Sequence, residues 1–240
     1  MTTLPCPRTL EEALALFNRK ERFILLDQAT GALNHLHLGA AFARDLSKVL
    51  GLTVPAGAYI AMDYHFDWLY AAIQTYLGRW SSDGGVLHAF EGQPVHAPAL
   101  TASQEDADLV VAWDDGKTRH LVLIEAKAYS GWTNAQLESK ICRLHQIFDE
   151  DGRPISSSHT ADEKHRKIRG HFVLAGFSRS AGIRAETWPA WTLAADGRPH
   201  FLRLQKPPER WGVQRTDADG KPWTAPADQM QYWSLRRFPA

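Results

Sequence analysis

The chain is short of cysteine, of net charge and of long apolar runs, and each shortage removes a class of protein. Cys6 and Cys142 are the only thiols among 240 residues. Two are too few for a disulfide-stapled secreted scaffold or a four-cysteine zinc site, and both read as plain thiols of a reducing compartment. No segment approaches the roughly 18 uninterrupted apolar residues of a membrane helix. Met1-Thr2-Thr3-Leu4-Pro5 also lacks the basic stretch and apolar run of a signal peptide. The expectation is a soluble, cytoplasmic protein with no membrane partner. The 27 basic and 27 acidic residues cancel, which excludes the overall positive field of a histone-like binder, so a polyanion must be met by a local patch. There is no Gly-rich Walker loop for ATP and no Gly-x-Ser-x-Gly elbow for a serine hydrolase. His35-Leu36-His37 has no spaced Cys or His partner of the kind zinc requires.

What is present is a core-forming sequence, 44% hydrophobic, long enough for one elaborated domain. Helical spacing runs over Leu10 to Phe23, again over Gly39 to Leu50, and over Asp63 to Ile73, closed by Gly78. The period then becomes extended. Val86 to Phe90 reads as a short strand and Asp108 to Trp113 as a stronger one. After the Asp115-Gly116 turn signal, Arg119 to Lys127 reads as the return strand of a hairpin. An amphipathic helix follows from Asn134 to Phe148 with Thr133 as N-cap, and Phe172 to Phe177 reads as another buried strand. The expected class is α/β with a mixed central sheet flanked by helices. It is read as a single domain over 1–240, with a helical N-terminal cap over 1–61, a core over 62–180 and a β-rich C-terminal extension over 181–240.

The chemistry concentrates at the end of the return strand. Glu125 and Lys127 are two apart and so share a face, about 6.6–6.8 Å from each other along the backbone. A two-residue turn on Asp115-Gly116 would pair Asp114 with Lys117, Asp108 with Leu123 and Asp106 with Glu125. Both aspartates would then lie on the face of Glu125, although one extra turn residue would flip that face. Two hard carboxylates beside a lysine suit Mg²⁺ and the metal-assisted hydrolysis of a phosphodiester, with the ammonium positioning water or offsetting charge.

These residues make the chain resemble the PD-(D/E)xK nuclease superfamily, the restriction-endonuclease-like fold. The match is Asp108 before a hydrophobic strand and Glu125-Ala126-Lys127 at the end of the next, followed by a helix and a further strand, and it covers roughly residues 62–178. The resemblance implies that Asp108 and Glu125 bind Mg²⁺, with Mn²⁺ as a substitute ion. It also implies that the Ala126 carbonyl assists and that Lys127 is the catalytic lysine. The proline usual before the aspartate is Ala107 here, and both Asp106 and Asp108 stand as candidate ligands. The implied activity is a DNA nuclease, an endonuclease of restriction, repair or defence, with a homodimer as one arrangement that would cut both strands. A catalytically silent nucleic-acid-binding or protein-interaction module on the same fold is the alternative.

Supporting residues extend this reading. Asp63 and Asp67, four apart on the expected helix, would share a face, with Asp67 the preferred additional acid. Gln136, Lys140 and Arg143 form a polar helix face that either contacts phosphates or is merely solvated. From Glu91 to Asp151 there are 11 acidic and 5 basic residues, a net of −6; from Lys164 to Arg215 there are 11 basic and 3 acidic, a net of +8. Lys164, Arg166 and Lys167 lie in the densest basic stretch and are candidates for a phosphate backbone.

Overall fold

Leu121-Val122-Leu123-Ile124 is apolar at four consecutive positions, as suits a strand buried on both faces. In the computed structural model these residues form the middle of β3 (Arg119–Lys127). The structure describes residues 7–18, 21–29, 37–78, 105–128, 130–155, 167–206, 210–222 and 232–238. The expected strand over 86–90 lies outside them, as do Cys6, His35, Lys164 and Arg166. With β1 (Tyr59–His65), β2 (Asp106–Asp114), β4 (Ile168–Gly176) and β5 (His200–Arg203), β3 builds a five-stranded sheet in the order β1-β2-β3-β4-β5. β2 runs antiparallel to both its neighbours, β1 and β3, while β4 and β5 run parallel to β3. The class expected from the sequence, α/β with a mixed sheet flanked by helices, is the one observed.

Several elements differ from their sequence pattern. The helix expected over Leu10 to Phe23 is two helices, α1 (Leu10–Phe17) and α2 (Glu21–Ala29). Asn18 leaves the helical region at ψ 102° and ends the first. The second expected helix is α3 (Ala40–Leu50), closed by Gly51 at φ 68°, where a side chain would be strained. The helix expected to begin at Asp63 starts later, as α4 (Phe66–Tyr76), and Tyr59 to His65 is strand instead. Tyr59, Ile60 and Tyr64 suit a strand, but what selects it is pairing with β2, a long-range contact that a local period does not display. Asp63, at φ 49°, is the one described non-glycine residue with positive φ. Asp63 and Asp67 therefore belong to different elements and do not share a helix face.

The β2–β3 hairpin closes with four loop residues rather than two. Asp114 pairs with Arg119, and the loop is built by aspartate side chains. Asp114 accepts the Gly116 N–H at 2.7 Å, and Asp115 accepts those of Lys117 at 2.8 Å and Thr118 at 2.6 Å. The ladder is consequently shifted by two residues from the expected one, with Leu109 opposite Ile124 and Val110 opposite Leu123. An even shift keeps every side chain on its expected face.

Helix α5 (Asn134–Leu144) connects β3 to β4 and begins where Thr133 accepts the Gln136 N–H. Its Leu137, Ile141 and Leu144 join Leu69 and Ile73 of α4, Leu14 of α1 and the sheet residues Val110, Leu121, Leu123, Phe172 and Leu174 in one core. The opposite sheet face, with Val122, Ile124 and Val173 also buried, is where α3 packs against β5 and His200 donates to the Val49 carbonyl at 3.1 Å. Among the described residues no helix is long and apolar enough to cross a membrane.

The chain divides into two compact units, 1–203 and 204–240. The stretch expected as a C-terminal extension thus contributes β5 to the main sheet. It also forms a separate antiparallel hairpin of β6 (Arg210–Thr216) and β7 (Tyr232–Phe238).

Candidate active site

On β3, Leu121 and Leu123 point into the core beneath α5, and two residues further the same face carries Glu125. The alternation that buries the leucines carries a carboxylate inward with them. Glu125 is 2% exposed. The hairpin register, continued one step past Leu109 and Ile124, brings Asp108 directly opposite it. The half-buried Asp108 accepts the Ala126 N–H at 2.6 Å, which fixes the carboxylate beside the Glu125-Ala126-Lys127 turn-off. Lys127 is next on the same face, its ammonium 3.6 Å from Glu125 Oε1 and its side chain 25% exposed. One end of the ion pair is in the protein and the other reaches solvent.

Asp106, expected opposite Glu125 from the shorter turn, is instead one pair further along β2. Its backbone carbonyl accepts from the Lys140 ammonium. The corrected register places Asp108, not Asp106, beside Glu125.

Lys140 is the residue whose place the sequence reading missed. On α5 it was grouped with Gln136 and Arg143 as a solvated or phosphate-contacting face, yet it is 4% exposed and its ammonium lies 2.9 Å from Glu125 Oε2. Glu105 Oε2 is 3.7 Å from the same ammonium, and the Phe66 ring lies 5.6 Å below it. The signal was present in the sequence. Lys140 occupies the i+3 position of the stripe Leu137, Lys140, Ile141, Leu144, which is a buried position. Buried there, its ammonium is turned to Glu125 rather than to solvent.

The Glu125 carboxyl is pushed above its ordinary range, first by burial and also by the negative charge of Asp108. The ammonium groups of Lys140 and Lys127 pull it back down. The carboxylates of Asp108 and Glu125 offer oxygen donors of the kind a hard divalent cation takes. No group of three or more His, Cys, Asp or Glu side chains suited to a metal occurs among the described residues. Asp108 and Glu125 are the two carboxylates here that could share an ion, which would then need water to complete its shell.

The remaining expected residues are scattered. Asp67 lies in the first turn of α4, where its carboxylate accepts the Trp68 N–H at 2.9 Å. Gln136 is half-buried one turn before Lys140, and its N–H is held by the Thr133 cap. Arg143 is half-buried with an Nε that finds no hydrogen-bond partner. Lys167 precedes β4, and because β3 and β4 are parallel it sits beside Arg119, at the far end of the sheet from Lys127. Eight residues of strand separate Arg119 from Lys127, about 26 Å. The described part of the basic cluster is not brought to the site.

No family model, no curated protein and no solved structure matches this chain.

Proposed function

We propose that the chain is a Mg²⁺-dependent nuclease of restriction-endonuclease-like fold that hydrolyses DNA phosphodiesters, with Asp108, Glu125 and Lys127 as its catalytic group. The observation that carries this reading is one corner of the sheet: Asp108 against the Ala126 N–H, Glu125 across from it, and the Lys127 ammonium 3.6 Å from Glu125. The PD-(D/E)xK resemblance, stated from the sequence, orders the same three residues in the same roles.

Asp108 and Glu125 would hold the ion, with the Ala126 carbonyl. A bound Mg²⁺ supplies polarisation of the phosphodiester and a water of lowered pKa. The hydrogen bond from Ala126 holds the Asp108 carboxylate at one rotamer, so no reorganisation is needed to present it. Burial under α5 keeps Glu125 away from bulk water, which strengthens its interaction with any cation. Lys127, part exposed at the rim, is placed to hold an attacking water or to offset charge accumulating on the phosphoryl oxygens. In the absence of a cation, Lys140 and Lys127 balance the two carboxylates.

The test is purified full-length protein with plasmid, linear and single-stranded DNA, with Mg²⁺ and with EDTA. Cleavage is expected only with Mg²⁺. Lys127→Ala is expected to reduce it about 10²- to 10³-fold with an unchanged melting temperature. An unaltered rate in that variant would exclude the mechanism.

The Lys140 contact favours a second reading. A carboxylate that is 3% exposed with an ammonium 2.9 Å away is already neutralised, as in a catalytically silent nucleic-acid-binding or protein-interaction module that keeps the fold. Salt-sensitive DNA binding without any metal-dependent cleavage would select it.

A further inference from the structure

Across the sheet from Glu125, the ladder places Leu174 of β4 opposite Glu125 and Phe201 of β5 opposite Leu174. Directly paired residues share a face, so Glu125, Leu174 and Phe201 form one row, with the Phe201 backbone two strand spacings, about 9–10 Å, from that of Glu125. Over this end of the row lies a cavity of about 340 Å³ lined by Leu174, Arg179, Ile183, Arg198, Pro199 and Phe201. That volume is at the small end of ligand pockets.

Its chemistry is two-sided. Leu174 is buried and, with Ile183 and Pro199, gives an apolar floor. The Arg179 guanidinium is 5.4 Å from the Phe201 ring centroid, and its Nη1 donates to the Pro199 carbonyl at 3.4 Å. Trp132 packs edge-to-face with Phe201, with ring centroids 6.3 Å apart. Arg179 and Arg198 are both exposed, and among the described residues no carboxylate forms an ion pair with either. An apolar pocket edged by an aromatic ring matches a nucleobase, and the two exposed arginines in its lining match the adjoining phosphates.

We infer that this cavity seats an unpaired nucleotide of a polynucleotide strand whose neighbouring phosphodiester reaches Asp108, Glu125 and Lys127. The substrate class is therefore single-stranded, or a duplex with a nucleotide turned out of the stack. A base inside a duplex is stacked on both faces and cannot present itself to a recessed slot floored by Leu174. This inference rests on the hydrolase reading for the placement of the cleaved bond, but base capture does not depend on catalysis.

The two are separated by measuring binding without metal. With EDTA present, anisotropy of a fluorescein-labelled single-stranded oligodeoxynucleotide and of its blunt duplex is titrated with the full chain. The single strand is expected to bind at least about tenfold more tightly, and Arg179→Ala, Arg198→Ala and Phe201→Leu are each expected to weaken it about tenfold. Duplex binding by the same variants should change far less. Circular dichroism melts of the three variants establish that each is folded. Equal affinity for both substrates, no binding of the single strand, or an Arg179→Ala/Arg198→Ala double variant that binds as the native protein does, would each overturn the inference. Strand-selective binding with no cleavage on adding Mg²⁺ would retain the cavity assignment and reject the hydrolase. Mg²⁺-dependent cleavage of the duplex by the double variant at the native rate would do the reverse.

Discussion

At the scale of single residues, the decisive pair is Glu125 with Lys140. Each is buried and ionisable, and neither could be carried inward without the other beside it. Removing one partner of a buried pair leaves an uncompensated charge, so Lys140→Met is expected to lower the unfolding free energy by about 3–5 kcal/mol. The double variant Lys140→Met/Glu125→Gln should recover most of that loss, because neither member then requires a charged partner. Urea unfolding of the single and double variants measures both. Glu125→Gln alone carries a pH signature. Because the Glu125 carboxyl is raised in the folded chain, its neutral form is the one the fold prefers. The native protein therefore gives up stability as pH rises from the ordinary value of 4.5 through the folded value. The Gln variant lacks that pH dependence, so the stability difference between the two proteins should shift in the variant's favour across the same interval, whatever its sign at the start. The residue types themselves were legible in the sequence. Glu125 and Lys127 stood out as charges ending an apolar strand, and Asp108 as an acid beginning the preceding one. The Asp106 or Asp108 ambiguity was not resolvable there, because it turned on two loop residues captured by Asp114 and Asp115 side chains.

At the scale of elements, the position of Lys127 depends on how closely β3 and β4 approach. Lys127 pairs with Gly176, and a Cβ built on Gly176 would lie 2.7 Å from the Lys127 carbonyl oxygen and 3.0 Å from the Trp132 ring. The backbone oxygen cannot move without moving the residue that bears the ammonium. Gly176→Ala is therefore expected to push the end of β3 outward. Metal-dependent cleavage should fall at least about tenfold, with a stability loss of about 1–3 kcal/mol of the kind overpacking produces. A cleavage assay run beside a thermal melt separates the two effects. Strong local signals made β3, α3 and the start of α5 readable from sequence, through a four-residue apolar run, a glycine stop and a threonine cap, whereas α5 ends at Leu144 and not at the expected Phe148. The strand Tyr59–His65 was not readable, since its sequence is equally compatible with extending α4 backward. Its identity comes from the ladder to β2, whose residues lie more than forty positions away.

At the scale of the whole sheet, the two faces differ in their ionisable groups. The face opposite the candidate site carries His120, His171 and His200. His120 Nδ1 is 3.1 Å from His171 Nε2, and His120 Nε2 is 3.1 Å from Asp115 Oδ2. Burial, and then the charges of His120, His200 and Arg169, lower His171 from 6.5 to about 3, and burial lowers His200 as well. A base with a depressed folded value binds fewer protons folded than unfolded, so stability is complete above 6.5 and is lost progressively as pH falls toward 3. His171→Gln, which retains a hydrogen-bonding side chain for His120, is expected to flatten the fall of the thermal midpoint across that interval. A slope equal to the native one would show that other groups govern acid sensitivity.

The sequence by itself determined the α/β class, the buried strand and its charged end, and the capped helix that follows. These rest on short-range rules: side-chain alternation along a strand, the 3.6-residue helical period, and caps and turns within a few residues. Only the tertiary structure decided which aspartate stands across from Glu125, that Lys140 is turned inward to neutralise it, and that Lys167 lies at the far end of the sheet. It alone put Phe201 in the row that begins at Glu125, and Arg179 and Arg198 in the cavity beside it. Those outcomes depend on strand register and on parallel pairing between segments some fifty residues apart. Such pairings are selected by the burial of whole faces and by no local pattern.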